Sequence, residues 1–390
     1  MNDVVSLAEK LVSIASYVAD GCDETAVVAW LEQWFVTNLP DMKLTRQPLS
    51  DGRANLYVGA PTPIVLFVGH IDTVPISDGW QTPPLTLTRE SGRLYGLGVA
   101  DMKGSIASLM VALTRMSKSA RSTVGMLIYV DEEYRFAGMK QVIADKLFVD
   151  QPPELVISLD GNLQPLMGCR GLIKMDIEVI GKSGHASNPS NGVNAIAQLM
   201  ESLASLEQQL TRYTSPELGQ TTMNIAYLRG GATTDVDNPE ILQRSGNVIP
   251  NYAEGIIELR VADMRLTAQL VETLLRQLLQ ERGLEVKSIR VGADLGVWNQ
   301  TRDTVSEQFL KTCYTQAGIL WQPDDPRYRG YIDVQLLAEV IDSPIYVIGA
   351  GGDNRHGANE SAAISDLQVA ANLYQLIVEQ WNKENSDEKS

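Results

Sequence analysis

Four short runs of uninterrupted apolar residues constrain the fold of this chain more than any other feature: IVLFVG at 64–69, VGMLIYV at 124–130, LVISL at 155–159 and IYVIGA at 345–350. A strand with one wet face alternates polar and apolar residues, whereas a run apolar at every position belongs to a strand covered on both faces. Helical patterns separate the runs, as in DMKGSIASLMVALTRMSK at 101–118. The expectation is an α/β fold with a mainly parallel central sheet flanked by helices. Because the fourth run appears only near the C-terminus, that domain is expected to be interrupted.

The interruption has its own grammar. In LIKMDIEVIG, Ile173, Met175, Ile177 and Val179 alternate with Lys174, Asp176 and Glu178, the pattern of a strand with one solvated face. A helix (VNAIAQLMESLASLEQQL), two strands (TTMNIAYLRG, EGIIELRVAD), a second helix (LTAQLVETLLRQLLQERG) and a last strand (LEVKSIRV) follow. Strand-helix-strand-strand-helix-strand is the ferredoxin-like unit. One domain is therefore expected from 1–171 and 292–390, with an inserted α+β domain at 172–291; 390 residues exceed what one core normally serves.

Composition narrows the partners. A net charge of −16 with no Lys/Arg cluster argues against nucleic acid and anionic membranes, and no apolar run is long enough to span a bilayer. The first twenty residues read as a surface helix, with Asp3 early and no basic start, and not as a signal peptide. Three scattered cysteines, Cys22, Cys169 and Cys313, fit a reducing, cytoplasmic compartment better than a disulfide framework. The segment NKENSDEKS at 382–390 reads as a disordered polar tail.

Sites in parallel α/β sheets form beyond the carboxyl ends of the strands. Here His70 and Asp72 follow the first run, Asp131, Glu132 and Glu133 the second, Asp160 the third, and His356 the fourth. Singly, such a histidine is more often a satisfied structural residue and such an acid a loop cap; their coincidence at four strand ends points to a metal. Asp101, where a glycine-rich loop turns into a helix, reads equally as an N-cap or as an oxygen ligand. Imidazole and carboxylate without thiolate select zinc, with cobalt or manganese as alternatives. Three ligand carboxylates and a hydroxide are neutralised by two Zn²⁺ per chain.

The segments GHIDTVP, YGLGVADMKG, VDEE, GKSGHASNPSNGVNAI, GNVIPNYAEGIIELRVAD and HGANES, with Asp160 between them, resemble in the same order the dinuclear zinc amidohydrolases. That family includes acetylornithine deacetylase, succinyl-diaminopimelate desuccinylase, aminoacylase and glutamate carboxypeptidase. The resemblance implies a zinc-peptidase-like catalytic domain whose ferredoxin-like insertion serves as a dimerisation or lid domain. It implies that His70 and Asp160 hold one zinc, that Glu133 and His356 hold the other, and that Asp101 bridges them. Asp72 would orient His70, and Glu132 would be the general base. His185 would steady the oxyanion in the partner subunit's site of a homodimer, with Asn247 as a second contact, and Arg260 would receive the substrate carboxylate through a bidentate fork. Arg170 is a further candidate for that task, a structural salt bridge being its alternative. The implied activity is hydrolysis of the amide of an N-acyl amino acid bearing a free carboxylate. A dipeptidase or carboxypeptidase is the alternative within the family, and a non-catalytic zinc-binding protein the alternative outside it. Two places depart from the family pattern: Gly161 and Asn162 after Asp160, and Tyr331 and Ile332 before Asp333.

Overall fold

The four apolar runs fold as four neighbouring strands of one sheet. This computed structural model describes residues 3–19, 21–239, 242–243, 246–300, 302 and 304–387. Across the sheet the strands are Leu44–Pro48, Ala54–Gly59, Val124–Tyr129, Val65–His70, Leu155–Ser158 and Ile345–Val347. The last four are parallel to one another, and the first two add an antiparallel edge, so the sheet is mixed. Every residue of Val65–His70 and Val124–Tyr129 is buried, which is why their sequences show no alternation.

One helix covering this sheet, Gly104–Arg115, is buried along most of its length and packs against the long helix Ile364–Asp387. Their approach depends on a missing side chain: a Cβ at Gly104 would lie 2.8 Å from Leu367 Cδ2 and 2.3 Å from the Val99 carbonyl oxygen. Phe67 of the sheet meets Tyr374 of the long helix edge-on, with ring centroids 5.5 Å apart. That helix continues to Asp387, well into the segment expected to be disordered, because Trp381 still packs against Phe309 at 4.7 Å; residues 388–390 lie outside the described residues.

The chain divides into two compact units, one of residues 1–167, 300–325 and 332–390, the other of 168–299 and 326–331. The second holds an antiparallel sheet in the order Thr222–Gly231, Tyr252–Val261, Gly171–Ile180, Glu285–Leu295. Helices Ala195–Leu210 and Ala268–Glu281 bury Leu199, Leu203, Leu206, Val271, Leu275 and Leu279 in the same core as Ile173, Met175, Ile177 and Val179. Asn194 and Thr267 cap these helices, accepting from the backbone N–H of Ala197 and Leu270. This unit is longer than the expected 172–291. Its last strand runs on to Leu295, and Trp298–Asn299 pairs with Gly168–Cys169, a two-residue pairing too short to leave a periodic signal.

Candidate metal centre

In the first unit the residues following the parallel strands converge. His70 closes its strand opposite Tyr129 and is 1% exposed. Its Nδ1 lies 3.2 Å from the Asp72 carbonyl oxygen and 3.4 Å from Asp72 Oδ1, the latter long for a charge-assisted bond. The Nε2 faces Asp101 Oδ1 at 3.2 Å. The other Asp101 oxygen, Oδ2, lies 3.3 Å from His356 Nε2, which is also 3.0 Å from Glu133 Oε1. Asp101 thus offers one oxygen to each histidine. Donor atoms of His70, Asp101 and Asp160 fall within 4.8 Å of one another, as do those of Asp101, Glu133 and His356. A third such group, His70, Glu132 and Glu133, overlaps both.

Local backbone explains the convergence. Asp101 caps no helix: its φ and ψ of −136° and 86° are extended, and the helix begins three residues later at Gly104. The capping alternative is therefore replaced by an orientation toward the two histidines. Asp131 takes a left-handed φ of 69°, turning the chain sharply after the strand. Asp72 Oδ2 accepts from the Glu133 N–H at 2.9 Å, tying that turn to the His70 strand. His356 also has a left-handed φ, 62°, on the loop beyond Ile345–Val347.

The electrostatics call for positive charge. Burial, with the charges of Asp333, Asp160 and Glu133, pushes the Glu132 carboxyl well above its ordinary range against the pull of His70. Burial and Asp101 raise Asp160 to about 6. Hydrogen bonds to Asp101 and Glu133 lift His356 to about 10. Burial opposes a charge on His70, but Asp101 and Asp72 outweigh it and hold its proton well above the usual range. For Asp101 burial is likewise outweighed, by His356 and His70, and the carboxyl falls below its ordinary value. Two donors about 2.1 Å from a tetrahedral ion lie about 3.4 Å apart, close to the 3.0–3.3 Å separations seen here. Nitrogen and oxygen donors, a shared carboxylate and excess buried acid fit a pair of divalent ions.

Several residues escaped the sequence reading. Glu360, 1% exposed, accepts from the backbone N–H groups of Gly98 and Ala100 at 2.7 Å and of Asp101 at 3.0 Å. Arg355 reaches Asp160 Oδ1 at 3.5 Å and donates to the Gly161 carbonyl and Asn162 Oδ1 at 2.7 and 3.0 Å, so the unusual Gly161-Asn162 pair has a partner of its own. Asp333, fully buried, accepts from the Tyr129 hydroxyl at 2.8 Å, and burial raises its carboxyl to about 7. Glu360 stands inside HGANES, Arg355 directly before it and Asp333 directly after the Tyr331-Ile332 departure, but nothing in the letters assigns them a role.

The second unit carries the other candidates in two groups. His185 and Asn247 are brought together by backbone pairing: the Ala186 N–H donates to the Asn247 carbonyl at 2.9 Å, and the Ile249 N–H to that of Gly184 at 2.9 Å. The Ser187 backbone N–H and hydroxyl both reach His185 Nδ1, at 3.2 and 2.8 Å. Nδ1 therefore accepts, and the neutral ring carries its proton on Nε2. Arg260 and Arg170 form the other group, with Arg170 Nη1 3.4 Å from Thr222 Oγ1. Arg170 is destabilised as a cation by burial and by the charge of Arg260.

An aminopeptidase from Bacillus cereus shares this fold with a TM-score of 0.76 at 20% identity over 97% of both chains. A Bacillus subtilis protein described as a dinuclear metal binding peptidase from the M20 family does so at 0.68 and 15%, also over 97% of both chains. In sequence, the chain is 36% identical over 216 residues to an acetylornithine deacetylase of Proteus mirabilis, covering 53% of this chain and 55% of that protein. It is 32% identical over 242 residues to one of Yersinia pseudotuberculosis, covering 58% and 61%. The match thus spans little more than half the length of these curated relatives. A model of peptidase family M20/M25/M40 matches residues 66–380, most of the chain including every metal-site candidate named above, and the chain belongs to that family.

Proposed function

We propose that the protein is a metal-dependent hydrolase that cleaves the amide of an N-acyl amino acid bearing a free carboxylate, of the acetylornithine deacetylase or succinyl-diaminopimelate desuccinylase type. The observation that carries this reading is Asp101, whose two oxygens face two histidines, with Glu133 and Asp160 completing a group on either side. His70, Asp101 and Asp160 would hold one ion, and Asp101, Glu133 and His356 the other. Zinc suits these donors, with cobalt or manganese as substitutes. Divalent ions there supply Lewis acidity and a water whose proton is lost near neutral pH.

The remaining chemistry falls to the chain. Glu132, half-buried among acids, takes the proton as the water oxygen bonds to the acyl carbon. It returns that proton to the amine nitrogen as the C–N bond breaks. Asp72 fixes the His70 ring from behind. His185, with its Nε2 proton outward of the Ser187 contacts, donates to the oxyanion; we assign it, with Asn247, to the partner subunit's site in a homodimer. Arg260, with Arg170 beside it, receives the carboxylate. The three cysteines are free thiols, in keeping with a cytoplasmic, reducing compartment. No helix of the described residues is long and apolar enough to cross a membrane.

A dipeptidase or carboxypeptidase is the second reading, favoured by the full-length likeness to peptidases such as the B. cereus aminopeptidase. A panel of acetylornithine, succinyl-diaminopimelate, acylated neutral amino acids and dipeptides, assayed for released amine, separates the two. Glu132→Gln is expected to retain both ions by metal analysis while turnover falls about 10²- to 10⁴-fold; His356→Ala should lose metal as well. Parental turnover by Glu132→Gln would overturn the assignment.

A further inference from the structure

We propose that Tyr331 positions Arg260 as a single-donor carboxylate receptor, which makes it a specificity-determining residue; this rests on the hydrolase reading above. Arg260 projects from the strand Tyr252–Val261, where Thr222 pairs it on one side and Leu172 on the other. Its Nη2 is 2.8 Å from Glu258 Oε1, two residues earlier on the same strand. The Tyr331 ring lies over the guanidinium, 5.0 Å from Cζ to the ring centroid. Nη1 is buried and has no hydrogen-bond partner among the described residues.

Each contact removes a degree of freedom. The ring holds the guanidinium plane and offers its negative face to the charge. Arg170 is close enough for the two like charges to oppose one another, so the aromatic face offsets a repulsion that the unit's own strands impose. Glu258 occupies one arm. A buried N–H left without an acceptor is destabilising, and Nη1 is the group placed to recover that loss from an incoming anion. The expected two-pronged grip on the substrate carboxylate is thereby replaced by one strong bond from Nη1.

Tyr331 comes from residues 326–331, which belong to the second unit although their sequence neighbours on both sides belong to the first. The ring is therefore brought to the arginine by a separate stretch of chain, at one of the two places where the sequence departs from the family pattern it resembles. A change at 331 alters how Arg260 is presented and leaves the sheet that carries it untouched.

The test is calorimetric binding of a ketomethylene analogue of an N-acyl amino acid, as the free acid and as its methyl ester, to the metal-loaded protein. Tyr331→Phe keeps the stacked ring and should bind the acid within about twofold of the parent. Tyr331→Ser should weaken the acid about 3- to 30-fold while leaving the ester unchanged. Glu258→Gln releases Nη2 and should tighten the acid. In turnover the Tyr331→Ser effect should appear in KM with kcat unchanged. Equal affinity of parent and Tyr331→Ser for the acid, equal losses for acid and ester, or a parent that does not prefer the acid would each overturn the proposal. A parent that binds the acid as expected but hydrolyses nothing in the substrate panel would overturn the hydrolase reading alone.

Discussion

Glu360 shows how much a single carboxylate can organise when its partners are backbone groups. Its oxygens accept three N–H bonds from Gly98, Ala100 and Asp101, and its own carbonyl accepts from Gly96 at 3.1 Å. It precedes the short strand Ser361–Ala363, which pairs antiparallel with Arg93–Tyr95, so two distant parts of the chain are locked together beside Asp101. Glu360→Gln keeps the shape but has one acceptor oxygen where there were two, leaving at least one buried N–H unpaired. The expected outcome is a metal affinity about 10- to 100-fold weaker in chelator competition, with stability lower by about 1–3 kcal/mol. Unchanged affinity would remove Glu360 from the support of the site. The proposed ligands His70, Asp101, Glu133, Asp160 and His356 stood among the sequence candidates because metal chemistry restricts residue type, while the choice of Glu133 over its acidic neighbours and of ligand over cap for Asp101 came from the family resemblance. Glu360 could not be assigned a role there, because N–H groups leave no letter to match.

The turn that follows Val124–Tyr129 rests on charges drawn from three elements. Asp131 Oδ1 meets Arg53 Nη1 at 2.9 Å, and Oδ2 accepts from the Ala137 N–H at 3.2 Å, at the start of helix Ala137–Ala144. Asp131 thus caps the backbone and takes part in an ion pair. Glu24, wholly buried at the start of helix Thr25–Asn38, holds the same Arg53 nitrogen at 3.0 Å and accepts from the Asp131 N–H at 2.9 Å. Burial, then the nearby charge of Asp72, raises the Glu24 carboxyl from 4.5 to about 7. A carboxyl raised on folding binds more protons folded than unfolded, so its contribution to stability declines as pH rises from 4.5 toward 7. In metal-free protein, the stability of the parent minus that of Glu24→Gln should fall by about 3 kcal/mol across that window in urea titrations. A pH-independent difference would refute the shift. Strand positions were legible because burial on both faces writes a continuous apolar run. The meeting of residues 24, 53 and 131 was not, since buried ion pairs between remote segments carry no periodicity.

At the scale of the molecule, the order of strands and helices in the second unit was legible because its first strand, Gly171–Ile180, alternates with period two and each helix repeats its leucines. What sequence could not reveal is which strands form the sheet's two edges, Thr222–Gly231 and Glu285–Leu295. Thr222–Gly231 is an edge strand, mostly exposed along its length, and Ile225 and Tyr227 are 44% and 41% exposed across a register shift. An edge with exposed apolar residues invites pairing with another chain, and this supports the homodimer proposed above. Ile225→Lys should shift the protein toward monomer in sedimentation equilibrium. His185, proposed to act on the partner's site, should complement a chain that lacks the base. His185→Ala and Glu132→Gln chains, each inactive as homodimers, are unfolded, mixed and refolded together. In a two-fold dimer one site of each heterodimer then combines an intact Glu132 with an intact His185, and random pairing should restore about a quarter of parental activity. If His185 instead acted within its own chain, every site in the mixture would lack one group and no activity would return.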